Sequence, residues 1–393
     1  YSQALQLLAL LPASPERDRR ELRVQIARGA VLIATRGYAS EDVKRAYARA
    51  AKLCLSAGDV DLLFAALRGL WAFHIGRAEF RVARGLGERM LSLADRAGPA
   101  ARMEAYRALG NSAFWFGELA VACDHMQRGI DLYAPDRDRR LALLFGQDPD
   151  VANRGMQTWP LALMGRPDEA LARGREALAR AEEVGHPYSL GYALVHVASC
   201  HQYLGQVEEV RVRAREAIAL ATERGFPNWL LAGLVLRGWA LSKIGRAEEG
   251  VVAVREAIGV WRSYGSELCV PYFLALLADA CGEAGLLDEG LAALEDAAAV
   301  VERNDDRWDE AEVHRLAGEL GHRRGDSSDE VEARLAGAVE VARAQGAALL
   351  ELRAAVSLAR LRPGDDARRA VVDVYGRFTG GFDLPDLIAA REV

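Results

Sequence analysis

Residues 165–205 read GRPDEALARGREALARAEEVGHPYSLGYALVHVASCHQYLG, and this stretch decides the fold. It opens and closes on glycines 40 residues apart, and the same step continues outward through Gly245, Gly285 and Gly325. A second ladder runs Gly185, Gly225, Gly265. Between the two, Arg175-Glu176-Ala177-Leu178 returns as Arg215-Glu216-Ala217-Ile218 and Arg255-Glu256-Ala257-Ile258. Several residues per unit thus hold one register, the signature of stacked supersecondary units. The ladder extends backward, less regularly, to Gly117, Gly76 and Gly37, so nine units cover nearly all 393 residues.

The unit from Pro187 to Gly225 shows what repeats. Leu190, Ala193, Leu194, Val197, Ala198 and Leu204 lie at helical spacing on one stripe. Gly205 supplies the left-handed residue that ends this first helix without Cβ strain. In the second helix, Val210, Ala214, Ala217, Ile218 and Ala221 form a stripe of mostly small residues that lets helices approach closely. Gly225 closes it, and Pro227 suits the first turn of the next helix, where an N–H has no partner to lose. A helix of about 17 residues is ~25 Å long and cannot bury its stripe alone, so neighbouring units must stack to make a core. The spacing predicts about eighteen antiparallel helices in one all-α domain spanning 1–393. Gly380-Gly381 followed by Leu384-Pro385-Asp386-Leu387-Ile388 reads as a short C-terminal cap within 380–393.

Composition agrees with helix, since Ala, Leu, Arg and Glu abound and β-branched runs are few. The net charge of -6 supplies no basic face for nucleic acid. Arg17-Asp18-Arg19-Arg20 and Arg137-Asp138-Arg139-Arg140 are interrupted by acid and read as solvated faces. Five cysteines without CxxC spacing argue against a disulfide framework and for a reducing, cytoplasmic setting. No apolar run approaches the ~20 residues that span a bilayer. The chain begins at Tyr1 without a methionine, which suggests a piece of a longer protein.

One interval breaks the period: Gly117 to Gly165 is 48 residues, eight too many. The surplus lies in 134–149, where Asp148-Pro149 suits an N-cap and first turn. Insertions in repeat arrays map to one face and often bind; the plainer reading is an elbow that changes the superhelix pitch. Arg139, Arg140, Gln147 and Asp148 are the candidates it offers.

Paired helices with a Gly-x-x-Glu/Asp turn, small residues in the second helix and a proline after the closing glycine resemble tetratricopeptide repeats. The 40-residue period is longer than that family's usual ~34. It is closer to the repeats in the C-terminal sensor regions of signal-transduction ATPases such as the maltose-regulon activator. Ala108-Leu109-Gly110 with Phe116-Gly117-Glu118, Leu144-Phe145-Gly146-Gln147-Asp148-Pro149, Leu236-Arg237-Gly238-Trp239-Ala240, Pro271-Tyr272-Phe273-Leu274-Ala275, Glu351-Leu352-Arg353-Ala354-Ala355 and Tyr375-Gly376-Arg377-Phe378-Thr379-Gly380-Gly381-Phe382-Asp383 narrow the likeness. They resemble the C-terminal repeat region of bacterial multidomain proteins in which an AAA-type ATPase follows a class III adenylate/guanylate cyclase or a winged-helix domain. The resemblance implies a right-handed superhelical solenoid whose first helices line a concave groove. It carries over no catalytic residue, because Lys44, Lys52 and Lys243, the only lysines, lie outside any glycine-rich phosphate loop.

Positions at a fixed offset before each turn glycine should form columns along that groove. Six residues before, the column reads Leu70, Asn111, Trp159, Ser199, Trp239, Asp279, Glu319; two before, it reads His74, Trp115, Leu163, Tyr203, Lys243, Glu283, Arg323. Aromatic anchors beside polar groups suit peptide or small-ligand recognition, although Trp159 and Trp239 would equally plug gaps between first helices. Asn111, Trp115, Trp159, Ser199, Tyr203, Trp239, Lys243 and Asp279 are the groove candidates. His196, Cys200 and His201 share one helix but lack further ligands for a metal, so no metal or cofactor is expected. Glu312, Arg315 and Glu319 read as a surface ion-pair ladder. The expected function is a non-catalytic regulatory module that binds a partner protein or its own upstream domains through the groove. The alternative is a small-molecule sensor, which would show a compact aromatic pocket around Trp115, Trp159 and the insertion in place of a long open groove.

Overall fold

A computed structural model of the chain describes residues 1–57, 60–138 and 140–393. It is all helix, with no strand among the described residues. After α1 (Ser2–Ala9), nine antiparallel pairs follow among the described residues. They are α2 (Pro15–Arg36) with α3 (Glu41–Ala57), α4 (Val60–Gly76) with α5 (Phe80–Ala97), and α6 (Pro99–Trp115) with α7 (Leu119–Asp131). The insertion forms two short helices, α8 (Pro135–Asp138) and α9 (Leu141–Phe145). Then come α10 (Pro149–Leu163) with α11 (Pro167–Val184), α12 (Pro187–Tyr203) with α13 (Val207–Arg224), and α14 (Pro227–Lys243) with α15 (Ala247–Ser263). The last pairs are α16 (Val270–Ala284) with α17 (Leu287–Asn304), α18 (Glu310–Arg324) with α19 (Ser328–Gln345), and α20 (Ala348–Leu361) with α21 (Asp365–Tyr375), before the final α22 (Pro385–Arg391).

The ladder glycines sit in equivalent turns. Gly165, Gly205, Gly245 and Gly285 have φ of 79°, 67°, 83° and 73°, a region that costs a side-chain-bearing residue ~1–2 kcal/mol. In the second ladder Asp305, with φ 55°, occupies the step after Gly265. The register fails at unit two. Gly76 is the last residue of α4, and the left-handed residue of its turn is Ala78, with φ 54°. The column positions there are therefore Ala72 and Gly76, not Leu70 and His74.

First and second helices differ in how they are buried. Along α13 only Val210, Ala214, Ala217 and Ala221 are buried, a single stripe facing its neighbours. Along α10 nearly every residue from Pro149 to Leu163 is buried, which requires cover on both sides. The second helices supply the outer cover, and the next turn of the superhelix supplies the inner. Gly37 in the first unit's turn meets Asn228 at the start of the sixth unit. The Gly76 carbonyl accepts from the Glu267 N–H (3.2 Å) and the Ser266 hydroxyl (3.1 Å), just ahead of unit seven. The Trp115 carbonyl accepts from the Arg307 N–H (2.8 Å), just ahead of unit eight. Gly165 packs on Ala348 of unit nine, and Gly205 on Pro385 of α22. Each unit from the first to the fifth thus meets the one five places on, with α22 standing where a tenth would begin. The contacts at Gly76 and Trp115 satisfy last-turn carbonyls that a helix leaves without partners, and all five close the lumen that an open solenoid would expose.

Two further expectations change. Glu312 and Arg315 are not surface residues: their side chains are 12% and 13% exposed, because Arg353 and the Asp386 end of α22 cover them. Asp138 is not solvated: it is fully buried and accepts from the Ala134 N–H at 2.9 Å.

Candidate functional site

Closure of the superhelix leaves a cavity of about 70 Å³. The facing sides of α4, α6, α10, α12, α14 and α16 wall it. Five of the seven tryptophans line it: Trp71, Trp115, Trp159, Trp229 and Trp261. Every lining residue is buried except Tyr38 and Leu268, which are half-buried.

The aromatic wall is ordered by specific polar contacts. The Trp159 indole N–H donates to the His196 carbonyl (2.9 Å), and the Trp115 indole N–H donates to Asn111 Oδ1 (2.8 Å). His196 lies between Tyr192 and Trp159, stacked on both at centroid distances of 3.7 and 4.7 Å. Its Nδ1 sits 2.8 Å from the Tyr192 carbonyl, a partner that can only accept, so Nδ1 carries the proton and Nε2 a lone pair. Burial pushes the imidazole down to about 3, which keeps it neutral.

One side of the cavity carries charge. Arg107 reaches Glu104 through Nε (3.0 Å) and Nη2 (2.9 Å), and Arg68 Nε lies 3.4 Å from the same carboxylate. All three side chains are at most 5% exposed. Arg107 also stacks over Trp71 at 4.7 Å, and Arg68 over Phe145 at 5.7 Å. No second carboxylate among the described residues pairs with either arginine, so two guanidiniums share one anion. Burial and the nearby Arg107 charge pull the Arg68 pKa down.

The insertion folds back toward this wall. Gly146 takes a left-handed φ of 70° and packs on Ala30 of the first unit, which carries Phe145 and Gln147 into the interior. Gln147 lines the cavity, and among the described residues its amide nitrogen has no hydrogen-bond partner; the Trp229 indole nitrogen has none there either. Asp148 caps α10, accepting from the N–H groups of Asp150 (3.1 Å) and Val151 (3.0 Å) and from the Tyr133 hydroxyl (3.1 Å). Arg140 is exposed ahead of α9, and Arg139 lies outside the described residues.

Of the groove candidates, the structure brings Asn111, Trp115, Trp159 and Ser199 together around the cavity. Tyr203 is buried one layer away, stacked on Tyr272 at 5.4 Å. Trp239, Lys243 and Asp279 form a separate cluster bridging α14 and α16. There the Trp239 N–H and the Lys243 ammonium both donate to Asp279 at 2.8 Å, and Lys243 reaches Glu283 at 2.8 Å. Sequence reasoning missed Arg68, Arg107 and Glu104, since an isolated arginine on a first helix looks like any solvated residue. No group of three or more His, Cys, Asp or Glu among the described residues is arranged to hold a metal ion. No described helix is long and apolar enough to cross a membrane.

Comparison with known proteins bears on the fold. The chain resembles the quorum-sensing regulator NprR in complex with its cognate peptide NprX, with a TM-score of 0.59 at 11% identity over 90% of this chain and 98% of that one. It resembles the apo form of the quorum sensor NprR from B. thuringiensis at a TM-score of 0.52, with 12% identity over 91% and 99%. It also resembles the Rap conjugation gene regulator of plasmid pLS20 in complex with the Phr* peptide, at 0.52 and 15% over 86% and 99%. Residues 168–235 and 231–283 match the family model of anaphase-promoting complex subunit 5, a match confined to the middle of the chain. No curated protein matches the sequence. The fold defines a tetratricopeptide-like helical-repeat solenoid.

Proposed function

We propose that this chain is a non-catalytic regulatory module that senses a small-molecule effector in its central cavity. The observation that carries the reading is the lumen itself: five tryptophans wall a compact cavity where an open groove for a partner chain was expected. Apolar cavities with a few convergent polar groups are the usual form of small-ligand sites. The cavity draws its walls from both turns of the superhelix. A ligand there bridges first helices of units two to four and units five to seven, and its binding free energy favours the closed arrangement over any looser one. Coupling of that equilibrium to further domains of a signalling ATPase or cyclase is the use this reading gives it.

The test is differential scanning fluorimetry of the chain against a metabolite library, with hits repeated on Ala232→Leu, which fills the cavity from α14. Stabilisation by a hit that the filled variant loses supports the reading. Saturating concentrations of the whole library without a shift would sink it. A second reading, docking of a peptide or protein, draws support from the two peptide-bound regulators of like fold. It requires the two superhelical turns to separate, and a partner that binds without loosening the Trp115–Arg307 contact would speak against it.

A further inference from the structure

The cavity reading leaves the chemistry of the effector open, and the side chains around it narrow the choice. Arg68 is 3% exposed, and among the described residues its one hydrogen bond is the 3.4 Å contact of Nε with Glu104. Glu104 already meets Arg107 through both nitrogen positions at 2.9–3.0 Å. The pair Arg107–Glu104 is balanced, so the cluster carries one positive charge in excess, in a place where an unpaired charge is costly. The other unsatisfied polar groups on the wall include two N–H donors, the Gln147 amide nitrogen and the Trp229 indole nitrogen, each on a residue at most 5% exposed. Donors without acceptors, lining the same cavity as a guanidinium without a full partner, describe the complement of an anion.

The anion's charge and body follow from the same wall. One excess positive charge is neutralised by a monoanion, whereas a phosphate dianion would leave a negative charge buried. The remainder of the lining is flat and apolar: Trp71, Trp159 and Trp229 with Met156 and Phe273. Those rings favour a planar or aliphatic body. We propose that the cavity takes a small monocarboxylic acid with an aromatic or apolar body, its carboxylate held by Arg68 with donors from Gln147 and Trp229. This inference rests on the reading of the cavity as an effector site.

Five cavity tryptophans make intrinsic fluorescence a direct readout, and calorimetry on the full chain gives the affinities. The probes are benzoate and indole-3-acetate, each beside its neutral amide, benzamide and indole-3-acetamide, together with the peptide N-acetyl-Gly-Gly-Phe bearing a free carboxyl terminus. The acids are expected to bind at least about tenfold tighter than the amides, the scale of one charge-assisted hydrogen bond. Arg68→Met should abolish the preference for acid over amide, and Arg68→Lys should retain part of it. The acid–amide comparison on the unsubstituted chain needs no variant, so a variant that fails to fold does not blunt the test. Equal binding of acid and amide overturns the anion inference and leaves the effector cavity standing. Binding of the peptide alone overturns the small-acid assignment. If no probe and no library compound perturbs the tryptophans, both readings fall.

Discussion

The backbone N–H of Arg307, in the loop that opens unit eight, donates to the carbonyl of Trp115, which ends the first helix of unit three, at 2.8 Å. One residue on, Trp308 is fully buried with its ring 4.7 Å from Phe114, 5.8 Å from Trp115, 5.3 Å from Trp159 and 5.3 Å from Tyr272. An open repeat array is stabilised by nearest neighbours alone and can unfold from an end. Here a single side chain ties units three and four to unit seven.

Trp308→Ala should therefore cost about 3–5 kcal/mol, the scale for emptying an aromatic site in a packed interior. Unfolding in urea followed by circular dichroism and by tryptophan fluorescence should give coincident transitions in the parent chain. Separate transitions, with the C-terminal units melting alone, would show that closure across five units contributes little.

Ala78 offers the opposite sign. It holds φ 54° at the position where units three to eight place glycine. Ala78→Gly should raise stability by up to about 1 kcal/mol, because release of left-handed strain outweighs the added chain entropy and the lost methyl contact. Ala177→Gly, inside α11, is the control and should cost about 1 kcal/mol or more. Urea midpoints of the two variants decide the point; a loss at both positions would mean the turn at Ala78 is unstrained.

The same residue shows where the sequence stops being legible. Wherever glycine marks the turn, the period, the helix pairs and the caps can be read directly, because only glycine takes that backbone shape without strain. At Ala78 and Asp305 packing imposes the shape on other residues, so the glycine count slips by two at Gly76 and ends at Gly265. Trp115 and Trp159 were legible as odd members of a column, but not as lumen residues, since a 40-residue period carries no information about contacts five units apart. Arg68 and Glu104 were invisible for the same reason: their burial is created by the second superhelical turn and by Phe145 of the insertion.

Buried carboxylates give the fold a pH dependence. Burial pushes Asp148 up to about 6, and pushes Asp306 and Asp309 well above the usual carboxylate range. Among the described residues neither Asp306 nor Asp309 is held in an ion pair. A folded state that holds a proton more tightly than the unfolded chain loses stability as pH rises through the interval between the two pKa values. For Asp148 that window runs from about 4 to 6 and amounts to about 3 kcal/mol by neutrality. Glu312, held down to about 2 by Arg315 and Arg353 against the cost of burial, acts in the other direction, and its contribution is lost as pH falls from about 4.5 toward 2. With three aspartates losing and one glutamate gaining, stability should peak near or just below about pH 4. Asp148→Asn keeps the α10 cap and should flatten the fall between 4 and 6; denaturation midpoints across that range check it, and an unchanged slope would rule Asp148 out as its source.

The excess charge beside the cavity predicts an asymmetry between its two partners. Glu104→Gln leaves two buried guanidiniums facing each other without an anion and should cost about 3–5 kcal/mol, the scale for breaking a buried ion pair from one side. Arg68→Met removes the surplus charge, leaves the Arg107–Glu104 pair intact and fills similar volume, so its urea midpoint should equal or exceed that of the parent. If the two substitutions cost the same, Arg68 is an ordinary member of the ion cluster and the wall holds no unmet positive charge. If Arg68→Met is neutral or stabilising without a ligand yet forfeits the stabilisation that a bound acid gives the parent chain, then the charge is kept at the expense of the empty fold, as a binding role for Arg68 requires.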